Sequence, residues 1–142
     1  MAYERNAFSD YTFPSGSTLL TQYKVCALNT AGAVVHTTGS SGRRVLGVLQ
    51  EVPSASTSST GKLAVVRVFG VSKVRSSSRA IAIGNYLRAT SGAAATSGGT
   101  VRPTTANTQY LIGVALTSAA ATTARNRLVS MLLLHSGRTS TA

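Results

Sequence analysis

Two short apolar runs decide how this chain folds: Arg44-Val45-Leu46-Gly47-Val48-Leu49-Gln50 and Tyr110-Leu111-Ile112-Gly113-Val114-Ala115-Leu116. Each run carries a single glycine at the same place among apolar residues. The length suits a β-strand, and the β-branched residues disfavour a helix. A glycine inside a buried strand is typical of a bulge, or of a point where a second backbone comes too close for a side chain. We therefore predict two strands buried on both faces, as in a small closed barrel.

The surroundings of the two runs are also similar. Residues 23–28 precede the first run and residues 86–89 precede the second, while residues 63–69 and 127–134 follow them. This order predicts a weak internal repeat with a period of about 65 residues. Chance similarity between β-rich, low-complexity segments is the alternative, and the all-β prediction does not depend on the repeat. The last strand, within 128–134, is apolar on both faces and is predicted to be central.

The predicted fold is a small β-barrel domain over residues 21–135, with an extended N-terminal arm (1–20) and a C-terminal tail (136–142). The arm is rich in aromatic residues but has no helical or strand periodicity, and Pro14 to Ser17 close it. Aromatic rings gain free energy when they are buried. We therefore expect the arm to dock, either on its own barrel or, preferably, on a neighbouring subunit or partner. Its aromatic residues are Tyr3, Phe8, Tyr11 and Phe13.

The chain is strongly basic, with 14 Lys and Arg against 3 Asp and Glu and a formal net charge of +11. Such a charge predicts an anionic partner: nucleic acid, an acidic protein surface or, less readily, a membrane. A strand predicted from residue 62 to 75, with its pleat continuing through Gly70, places Arg67, Lys73 and Arg75 on one face and Val66, Val68 and Val74 on the other. The cations predicted to meet the partner are Arg43, Arg44, Arg67, Lys73 and Arg75.

Residue types that carry catalysis are scarce. The acids are Glu4, Asp10 and Glu51, and the only histidines are His36 and His135, so neither a hydrolytic triad nor a carboxylate pair is indicated. The lone Cys26 allows no intrachain disulfide and is predicted to be a small buried hydrophobe. We predict no enzyme activity, catalytic residue, cofactor or metal site. No stretch approaches the about 20 apolar residues that span a membrane, so a membrane partner is not expected.

One further pattern points to a protein class. The order of Val45-Leu46-Gly47-Val48-Leu49, Ile83-Gly84-Asn85-Tyr86-Leu87, Tyr110-Leu111-Ile112-Gly113-Val114-Ala115 and a closing apolar strand resembles the head decoration, or cement, proteins of tailed bacteriophages. The resemblance covers approximately residues 20 to 135. It implies a β-barrel or β-tulip that binds the outer surface of an assembled capsid and staples neighbouring major capsid subunits. It further implies a homo-oligomer, with a trimer favoured over a dimer, and no catalytic residues.

The same resemblance implies a location on the outer surface of the virion, after synthesis in the host cytoplasm. The aromatic arm and the positive charge depart from the family pattern, in which near-neutral or acidic members are expected. The alternative function is a basic β-barrel that binds nucleic acid. Binders of single strands combine a cationic groove with aromatic stacking platforms. The predicted barrel has few aromatic residues, and its cations are spread along the chain, so this alternative is less favoured.

Overall fold

The computed structural model describes residues 10–16, 20–37, 45–51, 62–90, 98–104, 111–121 and 127–134. Within these ranges the regular secondary structure is entirely β, which confirms the all-β prediction. The predicted tail (136–142), Tyr3, Phe8, Arg43 and Arg44 lie outside the described residues. The strands are β1 (Asp10–Pro14), β2 (Val25–Leu28), β3 (Val34–His36), β4 (Val45–Glu51), β5 (Leu63–Arg67), β6 (Gly70–Arg75), β7 (Tyr86–Ala89), β8 (Val101–Pro103), β9 (Gly113–Ala115) and β10 (Leu128–Leu133).

These strands form two five-stranded antiparallel sheets. The first sheet has the order β1-β5-β4-β2-β3 and the second has the order β6-β10-β9-β7-β8. In each sheet the residue after the first strand makes a parallel bridge to the opposite edge strand, Ser15 to Val34 in one and Ser76 to Val101 in the other. Because the two edges meet in this way, each sheet curls into a barrel-like unit.

The second sheet repeats the first. Strands β6 to β10 follow one another in space in the same order as β1 to β5, so residues 10–67 form a first half and residues 70–134 form a second half. Backbone hydrogen bonds outside the ladders recur at equivalent positions. In the first half, the N–H of Tyr23 donates to the carbonyl of Leu49, and in the second half the N–H of Gly84 donates to that of Ala115. In the same way, Leu49 to Lys24 matches Ala115 to Asn85, and Gly16 to Val34 matches Ser77 to Val101. The predicted internal repeat is confirmed.

The glycines that mark the two apolar runs occupy equivalent positions in β4 and β9. A Cβ on Gly47 would overlap the carbonyl oxygen of Arg67 in β5, and a Cβ on Gly113 would overlap the carbonyl oxygen of Leu132 in β10. The pairing of β2 with β4 also shifts register between Cys26 and Ala27, beside Gly47. The predicted close approach of a second backbone is therefore confirmed at both glycines, and a bulge accompanies it at Gly47.

Each half has its own hydrophobic core, and the two cores use equivalent positions. The first core contains Leu20, Cys26, Val34, Leu49, Ala64 and Val66, with Phe13 and Leu46 packed against it. Their counterparts in the second core are Ile81, Leu87, Val101, Ala115, Val129, Met131, Val74 and Ile112. The alternation of inward and outward residues along each strand produces this match.

The two halves are joined by apolar packing and by backbone hydrogen bonds. Val25 and Val48, on the outer face of the first sheet, are fully buried and belong to the second core. The Val25 N–H donates to the carbonyl of Gly99 at 2.6 Å, and the Arg75 N–H donates to the carbonyl of Tyr23 at 2.8 Å. The outer face of the first sheet therefore packs directly on the second half.

The prediction of one strand from residue 62 to 75 is wrong. β5 ends at Arg67 and β6 begins at Gly70, and the two strands belong to different sheets. Gly70 has a φ of +85°, a conformation open mainly to glycine, so the chain turns there instead of continuing the pleat. Arg67 consequently lies on the first sheet, whereas Lys73 and Arg75 lie on the second.

β10 is central, as predicted, because it pairs with both β6 and β9. Its apolar residues are not buried on both faces, however. Val129, Met131 and Leu133 point into the second core, whereas Leu128 is 48% exposed and Leu132 is 37% exposed. One face of β10 is therefore exposed, and an apolar outer surface results.

The part of the predicted N-terminal arm that the structure describes is not an arm. β1 pairs with β5 along its whole length, from Asp10 opposite Arg67 to Pro14 opposite Leu63. Phe13 packs against the first core. β1 is thus the first-half counterpart of β6, and residues 10–16 belong to the first sheet, which is the docking on its own barrel that the sequence left as the alternative; residues 1–9 lie outside the described residues.

Candidate functional site

The structure describes Tyr11, Phe13, Arg67, Lys73 and Arg75 among the residues predicted to bind a partner, and it does not bring them together. Tyr11 is 53% exposed at the edge strand of the first sheet, while Phe13 supports the first core. Lys73 is exposed on the outer face of the second sheet. The two arginines are engaged within the chain.

Arg67 holds β1 against β5 through a bidentate ion pair. Its Nε lies 2.7 Å from Asp10 Oδ1 and its Nη2 lies 2.8 Å from Asp10 Oδ2, while its Nη1 donates to the carbonyl of Val71 at 2.9 Å. The hydrogen bonds from Arg67 lower the pKa of the Asp10 carboxyl. Arg75 has a comparable role between the halves, because its Nε donates to the carbonyl of Gln22 at 2.8 Å.

The outer face of the second sheet carries four side chains in one line across four strands. Val71 of β6 lies opposite Leu132 of β10, Leu132 lies opposite Val114 of β9, and Val114 lies opposite Tyr86 of β7. Val71 is 51% exposed and Tyr86 is 55% exposed, with Val114 half-buried. We call these four residues the apolar row. Neighbouring strands are about 4.8 Å apart, so the row spans about 14 Å of continuous surface.

More apolar and cationic side chains lie beside the apolar row. Phe69 precedes β6 and Leu134 follows β10 on one side, and both are exposed. On the other side, Lys73 lies opposite Ser130, and the Leu116 N–H donates to the carbonyl of Ser130 at 2.8 Å. The outer face of the second sheet is therefore an exposed apolar surface with a cationic margin, the composition of many protein–protein interfaces.

The equivalent line in the first sheet is covered. The positions of Val71, Leu132, Val114 and Tyr86 are taken there, in the same order, by Asp10, Arg67, Val48 and Val25. Val48 and Val25 are fully buried against the second half, and the remaining two positions form the ion pair. The same surface of the repeat is thus packed in one half, while the described part of the chain leaves it uncovered in the other.

Two arginines extend this face along β7 and β8. Arg88 lies directly opposite Arg102 in the antiparallel pairing of these strands, on the same face as Tyr86. The Nε atoms of both arginines are buried and have no hydrogen-bond partner. Their first-half counterparts are Ala27 and Val35, which also lie opposite each other.

The buried titratable groups of the first half indicate a structural role. The Thr21 N–H donates to Nε2 of His36 at 2.9 Å, and burial, aided by the charge of Lys24, lowers the pKa of His36 to about 4. Burial also raises the pKa of the Cys26 thiol to about 12, so the reactive thiolate is suppressed. Among the described residues, no three His, Cys, Asp or Glu side chains come together as a metal site would require.

The sequence analysis missed the apolar row and the arginine pair. Val114 was assigned to a strand buried on both faces and Leu132 to a central strand, because a run that is apolar at every position has the same pattern whether both faces are covered or one is exposed. Arg102 follows a loop of small residues, so its place opposite Arg88 depends on strand register. The repeat offered one indication of the arginine pair, because two apolar residues of the first half, Ala27 and Val35, are replaced by arginines at the equivalent positions of the second half.

Comparison with family models, curated proteins and solved structures gives no match for this chain. In the part of the chain that the structure describes, no helix is long and apolar enough to span a membrane.

Proposed function

We propose that this protein is a structural component of a phage virion, which binds the outer surface of the assembled capsid and staples neighbouring major capsid subunits. The resemblance of its glycine-centred strands to head decoration proteins motivates the class. The observation that carries the proposal is the apolar row, Val71, Leu132, Val114 and Tyr86, exposed on a surface whose first-half counterpart is packed.

The apolar row is suited to docking on a protein surface. It belongs to a sheet held by ladders on both sides of β10, so its side chains are positioned before binding. Covering a half-exposed apolar side chain contributes about 1 kcal/mol. Four such side chains give a modest affinity for one copy, and simultaneous binding by several linked copies would raise it. A homo-oligomer, with the trimer favoured, fits this requirement.

The positive charge supports the same proposal. Lys73 lies at the margin of the apolar row, where an acidic shell would meet it. A single exposed ion pair contributes about 0 to 1 kcal/mol, so charge would guide association while apolar burial provides most of the affinity. The binding should therefore survive an increase in salt.

The alternative is a nucleic-acid-binding barrel in which the same cations meet phosphates. The net charge of +11 favours it, whereas the exposed apolar row does not, since nucleic-acid interfaces are more polar than protein interfaces. Phosphate binding weakens steeply as salt rises, because counterions are released on binding. Salt dependence therefore separates the two functions.

The test is co-sedimentation with assembled capsids of the phage that encodes the protein, at low and high salt, using the full chain, Leu132→Asp and Ser78→Asp. Leu132→Asp places a charge in the apolar row at a position that is charged in the first half, where Arg67 stands. Ser78→Asp makes the same charge change at an exposed turn. We expect only Leu132→Asp to lose binding. Absence of capsid binding by the full chain, with DNA binding at low salt, would reject the proposal.

A further inference from the structure

Arg88 and Arg102 form a pair of like charges to which the described residues offer no carboxylate. They lie directly opposite each other on β7 and β8, and like charges in this relation are destabilising. Each has a buried Nε without a hydrogen-bond partner. A buried donor that has lost water and gained no acceptor costs free energy, more so when it is charged.

The scaffold does not require arginine at these positions. The equivalent pair in the first half is Ala27 opposite Val35, within the same hairpin of the repeat. That hairpin forms with two apolar side chains and needs no ion. The arginines are therefore an addition to the repeated structure, on the face that the described residues leave uncovered in the second half.

The described part of the chain offers no carboxylate to this pair. Asp10 forms an ion pair with Arg67, and Glu51 lies at the exposed end of β4 in the first sheet. Across the whole sequence, 14 cations face only 3 acids. The described residues therefore leave both guanidinium groups without a carboxylate partner.

We propose that Arg88 and Arg102 form a receptor for a carboxylate side chain of an acidic partner protein, which docks on the apolar row beside them. An arginine fork suits a carboxylate because it donates two parallel hydrogen bonds to the two oxygens. The apolar neighbours Tyr86 and Val114 favour a protein segment over a nucleic-acid backbone, since a carboxylate of a protein can be flanked by apolar side chains.

This inference rests on the proposed function, because it names the chemistry by which the same face would recognise the capsid. The partner segment would place apolar side chains on Leu132 and Val114 and an aspartate or glutamate between the two guanidinium groups. Charge complementarity then selects acidic shells over neutral ones. A carboxylate inserted between the arginines would also remove the repulsion between them.

The test uses a double variant that copies the first half, Arg88→Ala with Arg102→Val, and the control Arg79→Ala, an exposed arginine in the turn before β7. The double variant should fold with unchanged or raised thermal stability, because it removes two unsatisfied donors. We expect it to bind capsids at least tenfold more weakly than the full chain, the loss typical of charged hydrogen bonds, while Arg79→Ala binds normally. Equal capsid binding by the double variant and the full chain would overturn the inference.

A second measurement separates this inference from the proposed function. The Nε–H resonances of the arginines are followed by NMR while a glutamate-rich peptide, and separately a single-stranded DNA, is added. We expect the peptide to shift the two resonances that the double variant lacks.

If the full chain binds capsids but the peptide shifts neither resonance, the carboxylate receptor is wrong and the capsid proposal stands. If the peptide shifts both but capsids are not bound, the receptor stands and the capsid proposal fails. Shifts produced by DNA alone would overturn the receptor in favour of phosphate binding.

Discussion

Substitution of Gly47 by alanine should destabilise the protein through backbone overlap between two neighbouring strands. The added Cβ would overlap the carbonyl oxygen of Arg67 and would lie 2.9 Å from its carbonyl carbon and 3.0 Å from Cγ1 of Val66. Two of these atoms are backbone, so β5 has to move away from β4. Overpacking of this kind costs about 1–3 kcal/mol, and a disrupted ladder hydrogen bond adds about 1 kcal/mol. We expect a loss of about 3 kcal/mol in the free energy of unfolding.

Gly32→Ala is the matched control. Gly32 has a φ of +76°, and a Cβ there would meet no atom within 4 Å, so only the backbone conformation opposes alanine. That strain costs about 1 kcal/mol. Urea unfolding, monitored by circular dichroism, measures the free energy of unfolding of both variants. We expect the urea concentration at the midpoint to fall while the m-value stays the same. A Gly47→Ala midpoint equal to or above that of Gly32→Ala would refute the close approach of β4 and β5.

Three further predictions concern the first half. The pKa of His36 is lowered from 6.5 to about 4, so the unfolded state binds more protons between these pH values, and the free energy of unfolding should fall by about 3 kcal/mol as pH drops through that window. His36→Gln should flatten this dependence in urea titrations at pH 4 to 7. Asp10→Asn should lower stability at pH 7 by about 1 kcal/mol, because it breaks the bidentate pair with Arg67, and a cycle with Arg67→Met should show coupling between them. An uncoupled pair would contradict this role. Cys26 should react with a thiol reagent only after unfolding, because it is fully buried and its pKa is raised to about 12, and rapid labelling of the native protein would contradict this packing.

Much of the fold could be predicted because its main determinants are local. The glycine-centred runs have strand length and strand composition, and the glycine at the same place in each reflects the same close approach in the structure. The repeat followed from the order of short segments. The β2–β3 hairpin is equally local, because a short turn with Gly32 in a positive-φ conformation joins two strands that pair antiparallel.

Other features depend on information that is not local. The break at Gly70 was missed because glycine fits both a continuous strand and a turn with positive φ. β1 was predicted as an arm because its five residues end in proline and are too few for a clear periodicity. The exposed face of β10 and the pairing of Arg88 with Arg102 depend on which surfaces the other half covers, and on register across a loop.

The most direct test of the docking face is site-specific photo-crosslinking on assembled particles. A benzophenone amino acid replaces Tyr86, which lies in the apolar row, or Leu63, which is 63% exposed on the first sheet. The proposed function predicts an adduct with the major capsid protein from position 86 and little or none from position 63. An adduct from position 63 alone, or an adduct from position 86 that contains nucleic acid or only a second copy of this chain, would contradict it.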